Sequence, residues 1–156
     1  MIFRHFGSAD AALTARRLRD ATAVAGVRLL IGLDVALAES VQADGIHLPE
    51  RALEKAERLR PERPDWLLTG AAHSANALAL ASVLDATVLS PVFPAGGASA
   101  ARPELGVERF AQLARSAPCP VYALGGIHGG NARELIGSGA CGLAGVEAIR
   151  AAFGPK

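Results

Sequence analysis

Two turns near the end of the chain carry the plainest chemistry. Gly125-Gly126-Ile127 follows the apolar run Pro120–Leu124 and precedes a helical pattern starting at Asn131, and Gly145-Val146 follows a further apolar run that starts at Cys141. Glycines between a strand and a helix let the backbone approach a ligand closely, and the N–H groups exposed there can hold an anion. A lone Gly-Gly is as readily a structural turn, but a second turn after the next strand favours phosphate binding at Gly125, Gly126, Gly145 and Val146. Other polar residues also fall just after apolar runs: Arg4 and His5, Asp34, His47 and Glu50, His73 and Ser74, the segment from Ser90 to Arg102, His128, and Glu147. In a parallel barrel, that end of the strands is where ligands bind. Arg4 within an apolar strand favours a site role, since unpaired Arg is rarely buried. His47 and His73 are acid or base candidates near neutral pH, although His47 also reads as a satisfied core or rim histidine. Ser74 reads first as a helix N-cap and then as a ligand contact. His5 and His128 read as surface loop residues, and residues 95–101 have the composition of a lid or of an untethered loop.

The elements that must position these residues alternate. Ile2–Phe6 reads as a strand, followed by a helix with Ser8 or Asp10 as its cap and Ala11, Ala15, Leu18, Ala21 and Ala25 as its apolar stripe, ended by Gly26. Strands are expected at Val27–Leu33, Gly45–Leu48, Trp66–Thr69, Ala86–Ser90, Pro120–Leu124 and Cys141–Val146. Helices are expected at Asp34–Val41, Arg51–Arg60, from Ser74 through Leu84, Val107–Ser116, Asn131–Ser138 and from Glu147 or Ala148 to Phe153. The strands are short and apolar with little alternation, which marks strands covered on both faces by helices. Regular strand–helix alternation gives βαβ units, in an open sheet or a closed barrel.

A chain of 156 residues is expected to form one domain, residues 1–156. Its net charge of +1 shows no basic excess for nucleic acid. From Gly70 to Ala101 there is no Lys or Arg, but Asp85, Pro91 and Pro94 interrupt any membrane span. Cys119 and Cys141 lack metal-ligand spacing and read as reduced thiols of a cytoplasmic protein, and the start of the chain does not read as a signal peptide.

The segments also resemble a known family. Ala43-Asp44-Gly45-Ile46-His47-Leu48 is similar to the "ADGVHL" of thiamine-phosphate synthases and TenI proteins. Ala72-His73-Ser74 is similar to their "THS", Ser90-Pro91-Val92-Phe93-Pro94 to "GPVFPT", and Pro120–Ile127 with Asn131-Ala132 to "PVVAIGGI" and "NAAEVLAAGADGVAVVSAI". The resemblance runs from Phe3 to Phe153 and implies an α/β fold, a TIM (β/α)8-type barrel, lacking here the first strand and helix. It implies a protein of thiamine biosynthesis that binds a phosphorylated thiazole and, as a transferase, couples it to a pyrimidine pyrophosphate with release of pyrophosphate. Arg4 matches the arginine of the family's "QLREK", while Phe6 replaces its lysine. Gly32-Leu33 stands at the family's Asn-Asp and Ala52 at its second aspartate, so the carboxylates that would hold Mg²⁺ are lost, and Asp34 reads as a helix cap. Arg102 is the one base in the loop that carries a lysine in the family, and Glu147 replaces the serine of "VVSAI". Arg4, His73 and Ser74 are thus the expected catalytic residues, with His47, Arg102 and Glu147 lining the pocket. Two alternatives follow from the replacements: a catalytically degenerate phosphate-binding relative, and a thiazole-phosphate isomerase with His47, His73 or Glu147 as base. The histidine of the family's tautomerases corresponds to Pro91. The missing first strand is expected to leave exposed edges, which a truncation, an imperfect seven-stranded closure or a second copy in a homodimer would explain.

Overall fold

The computed structural model describes residues 1–5, 7–96 and 101–153. Phe6 and residues 97–100 of the expected lid lie outside the described residues. Two compact units form, Met1–Gly70 with Val83–Asp85, and Ala71–Ser82 with Ala86–Lys156.

The first unit holds β1 (Ile2–Phe3), α1 (Ala11–Val24), β2 (Leu30–Gly32), α2 (Val35–Ser40), β3 (Gly45–Leu48), a 3-10 turn at Glu50–Ala52, α3 (Lys55–Glu62) and most of β4 (Leu67–Ala72). β1 pairs with β2, β2 with β3 and β3 with β4, all parallel. All four residues of β3 are buried, as expected of a strand covered on both faces. Ala15, Leu29, Ile31, Leu37, Ala38, Val41 and Ala43 form one core, with Phe3, Ala11, Leu18 and Trp66 packed against it.

The stripe of α1 differs from the expected one. Ala21 and Ala25 are exposed, and Thr22 is buried in their place. The stripe runs through Ala11, Ala15, Leu18 and Thr22, and the Thr22 hydroxyl is satisfied by donating back to the Leu18 carbonyl at 2.7 Å. Neither expected side-chain cap forms: Asp10 stands at the N-cap without a side-chain cap bond to the first-turn amides, and Ser8 donates to Asp10 instead. Gly26, at φ 64°, ends the helix, with the Val27 N–H returning to the Thr22 carbonyl at 2.8 Å.

The second unit holds the end of β4, α4 (Ala75–Ala79), β5 (Ala86–Leu89), α5 (Gly106–Ser116), β6 (Val121–Ala123), a 3-10 turn at Ala132–Leu135, β7 (Gly142–Leu143) and α6 (Glu147–Phe153). β5 pairs with β6 and β6 with β7, again parallel. The Ser90 N–H donates to the Ala72 carbonyl at 3.1 Å, so the end of β4 runs beside β5. β5 is buried throughout, and α5 buries Phe110, Ala111, Leu113 and Ala114.

Several expected elements are shorter than read, the strand at Val27–Leu33 among them, which is only Leu30–Gly32. The helix from Ser74 stops at Ala79, the expected helix Asn131–Ser138 is one 3-10 turn, and the last strand is Gly142–Leu143. Gly137 and Gly139 take positive φ of 77° and 94°, which stops the 3-10 turn from extending. The strand expected at Ile2–Phe6 is likewise only Ile2–Phe3, which places Arg4 past its end.

Candidate functional site

The pairing of β6 with β7 sets the two glycine turns side by side. Ala123 is in register with Leu143, and the Ala144 N–H donates to the Ala123 carbonyl at 2.8 Å. Gly125 and Gly145 each follow two residues after that matched pair. Gly125 and Gly126 have φ of 104° and 63°, a conformation that favours glycine. Asn131 spans this turn: its Nδ2 donates to the Gly126 carbonyl at 2.9 Å and its Oδ1 accepts the His128 N–H at 2.8 Å. That orients the Gly126–Ile127 peptide with its carbonyl on Asn131. The amides of Gly126, Ile127, Gly145 and Val146 have no acceptor among the described residues. Open backbone donors grouped in this way form an anion cradle.

The segment after β5 backs the first turn. The Val92 N–H donates to the Leu124 carbonyl at 2.9 Å and the Phe93 N–H to the Gly125 carbonyl at 3.1 Å. A Cβ on Gly125 would lie 2.6 Å from the Cα of Pro91, and one on Gly126 would lie 2.4 Å from the carbonyl oxygen of Pro94. Glycine is therefore required here by space as well as by φ. Farther along this segment, a Cβ on Gly96 would lie 2.7 Å from Oε1 of Glu147. Glu147 opens α6 directly after the second turn, and it is exposed.

His73, Ser74 and Arg102 belong to the same unit. His73 Nδ1 lies 2.7 Å from the Ser90 carbonyl, a distance at which the ring N–H donates and leaves Nε2 as the acceptor. The Ser74 hydroxyl accepts the Ala77 N–H at 3.2 Å, which is the expected N-cap of α4. Arg102 is exposed.

Arg4 and His47 belong to the first unit. Arg4 is exposed, and its Cγ covers Gly32 at the end of β2. His47 is 7% exposed and its Nδ1 meets the Thr69 hydroxyl at 2.9 Å, its neighbour across β3 and β4. Burial first, and the Arg4 charge second, lower its pKa from 6.5 to about 4. The expectation that His47 titrates near neutral pH is thereby corrected: the imidazole is neutral there, a buried hydrogen-bonding group and a weak base.

Asp44, in the "ADG" segment, is structural. It lies at the foot of β3 and accepts the Leu29 N–H at 2.8 Å, Arg19 at 2.7 Å and Arg28 at 2.9 Å. Its burial opposes ionisation, but these bonds outweigh it and hold the pKa at about 2. Asp85 repeats the device before β5, accepting the Leu68 N–H and Arg60, each at 2.7 Å.

The donor set does not fit the Mg²⁺ carboxylates of the family. Asp34 accepts the Leu37 N–H at 2.9 Å and meets His5 at 3.2 Å, so it caps α2 and pairs with a histidine that was expected to be a bare loop residue. Gly32 and Leu33 bring no carboxylate, and Ala52 buries a methyl group.

The sequence reading missed Thr69, Ser90 and Asn131 as partners of His47, His73 and the glycine turn. Thr69 was detectable as a polar residue in an apolar strand. Asn131 was detectable from its place five residues after Gly126.

A parallel α/β chain whose adjacent strands end in two open glycine turns is, by class, a β/α protein with a candidate anion site at those strand ends. The sequence model of the family described as "Thiamine monophosphate synthase" matches residues 3–149. The chain belongs to that family, which serves thiamine biosynthesis. It is 34% identical to the thiamine-phosphate synthase of Albidiferax ferrireducens over 97% of this chain and 70% of that protein. It is 31% identical to the thiamine-phosphate synthase of Geobacillus kaustophilus over 95% of this chain and 68% of the relative. The thiamine phosphate pyrophosphorylase from Pyrococcus furiosus superposes with a TM-score of 0.80 at 25% identity, over 99% of this chain and 74% of that one. The fold class is therefore α/β of the TIM-barrel type. No helix among the described residues is long and apolar enough to cross a membrane.

Proposed function

We propose that this protein binds a phosphorylated thiazole through the Gly125-Gly126 and Gly145-Val146 turns and joins it to a pyrimidine carried as its pyrophosphate, forming thiamine phosphate and releasing pyrophosphate. The observation that carries the reading is the β6–β7 register, which aligns two sets of unbonded amides at adjacent strand ends. Family membership supplies the substrate class. The backbone amides of the turns hold the monophosphate. Arg102, in the same unit as the turns, is the cation proposed to oppose the charge that develops as pyrophosphate leaves. His73 and Ser74 are proposed to contact substrate, with the His73 ring oriented by the Ser90 carbonyl. His47, neutral and held by Thr69, is a hydrogen-bonding group of the first unit. No step is assigned to Mg²⁺, because Asp34 is engaged and Ala52 has no donor.

The near-neutral net charge offers no basic excess for nucleic acid, so the proposed partner is a small molecule, and the compartment proposed for this biosynthetic family is the cytoplasm. Exposed Leu143, Val146 and Ile149 support a homodimer. The test is to incubate the protein with the thiazole phosphate and the pyrimidine pyrophosphate, with and without Mg²⁺, and follow thiamine phosphate. Product formation that Gly126→Val abolishes supports the proposal. Saturable binding of the thiazole phosphate with no product would overturn the transfer step and leave a phosphate-binding relative. No binding would overturn both.

A further inference from the structure

The two faces of the sheet in the second unit differ at β6. Val121 and Ala123, with Thr87 and Leu89 in register beside them on β5, make a sealed face, none of the four more than 1% exposed. Tyr122 lies between them in sequence and so points to the opposite face, where it is 39% exposed. There it pairs with Val88 of β5 and Gly142 of β7. Its ring lies over Gly142: a Cβ on that glycine would stand 2.7 Å from Cε1 of the tyrosine. The glycine thus makes room for the ring and holds its flank. The phenol hydroxyl has no hydrogen-bond partner among the described residues. An aromatic side chain this exposed adds little to the core, and the family segment "PVVAIGGI" has valine at the matching position.

Tyr122 shares its face with polar groups of the candidate site. Ser90 follows Val88 by two residues, which puts it on the same face, and its hydroxyl lies 3.3 Å from Nδ1 of His73. The Leu124 N–H donates to the Leu89 carbonyl at 3.1 Å, which carries the β5–β6 register on to Ser90 and Leu124. From Tyr122 to Gly125 is three residues, roughly 10 Å of extended strand. Within this one unit the face therefore runs from an aromatic ring, past a histidine, to a turn with open amides. That order matches a small molecule with an aromatic ring at one end and a phosphate at the other.

We propose that Tyr122 is a specificity-determining residue for the thiazole phosphate: the heterocycle packs on the exposed tyrosine ring while its phosphate sits at the glycine turns. The inference rests on the phosphorylated-thiazole reading above, and adds what separates that ligand from other phosphates. An offset aromatic pair gains more than the area it buries, by about two- to tenfold in affinity. Gly142 holds the ring beforehand, which limits the ordering lost on binding.

Tyr122 is the single tyrosine of the chain, so its ring protons can be followed by NMR in the full protein with labelled tyrosine. Saturation with the thiazole phosphate is expected to move them upfield. Ethyl phosphate, which has the phosphate and no ring, is expected to leave them in place. In calorimetric titrations Tyr122→Val is expected to weaken the thiazole phosphate by about tenfold and to leave the affinity for ethyl phosphate, strong or weak, unchanged. Tyr122→Phe is expected to keep the wild-type affinity for both. Thermal melts by circular dichroism establish that each variant is folded. Tyrosine resonances unmoved at saturating thiazole phosphate, full affinity for it in Tyr122→Val, or an equal loss of both ligands in that variant each overturns the inference while the phosphorylated-thiazole reading stands. Absence of thiazole phosphate binding to the wild-type protein overturns that reading, and the inference with it.

Discussion

The two units use polar groups in opposite ways. In the first, charged side chains are committed to one another and to strand ends: Asp44 to Arg19, Arg28 and the Leu29 amide, Asp85 to Arg60 and the Leu68 amide, Asp34 to His5 and the start of α2. In the second, the strongest candidate for ligand binding is backbone, at Gly126, Ile127, Gly145 and Val146, held open by glycine φ and by Asn131. Carboxylates at the beginnings of strands stabilise the fold, whereas amides at the ends of strands are left for a ligand. The same family segments therefore contain residues with unrelated duties. Asp44 of the "ADG" segment staples two strands, and His47 three residues later is buried against Thr69 of β4.

The contrast is broken most severely at Gly126. Gly126→Val forces a β-branched side chain to φ 63° and against the Pro94 carbonyl. It is expected to cost about 3 kcal/mol or more in chemical denaturation and to abolish monophosphate binding by calorimetry. Retained binding would show that the turn is structural only.

The first unit should instead be sensitive to acid. The folded pKa of His47, about 4, lies below its unfolded value of 6.5, so the unfolded chain takes up the proton first. Its contribution is complete above pH 6.5 and declines as pH falls toward 4, by about 3 kcal/mol in all. Denaturant melts at pH 7 and pH 5 test this, and His47→Gln should flatten the difference. Asp44 acts in the next window down. Its folded pKa of about 2 lies below the ordinary 3.8, so its stabilisation is present above pH 4 and is lost as pH falls toward 2. The expected loss is about 2 kcal/mol, and Asp44→Asn should remove that pH dependence while lowering stability at pH 7. The smallest expected effect is at Leu33. Leu33 has φ 63°, a left-handed conformation costly for a non-glycine residue, but Gly is freer in the unfolded chain and the half-buried leucine would be lost, so Leu33→Gly is expected to change stability by less than about 1 kcal/mol in the same melts.

Much of the architecture was readable in one dimension because it rests on local chemistry. Apolar runs without alternation became β3 and β5, buried along their whole length. Gly26 ended α1, and Asp34 and Ser74 capped α2 and α4 with their side chains. The glycine turns and the family segments marked the candidate site before any coordinates. What failed was also local in cause. A period of three or four does not reveal where an apolar stripe slips by one residue, as it does from Ala21 to Thr22. Nor does it distinguish a full helix from the single turn at Ala132–Leu135.

By itself, then, the sequence determined which residues could bend, cap and pair, because those preferences belong to each residue and its near neighbours. Only the tertiary structure decided that Gly125 and Gly145 stand level, that Thr69 satisfies His47, that His5 engages Asp34 and that Glu147 reaches Gly96. Those outcomes depend on strand register and on contacts between residues far apart in the chain. They are fixed by the packing that buries the strands and not by the preference of any one side chain.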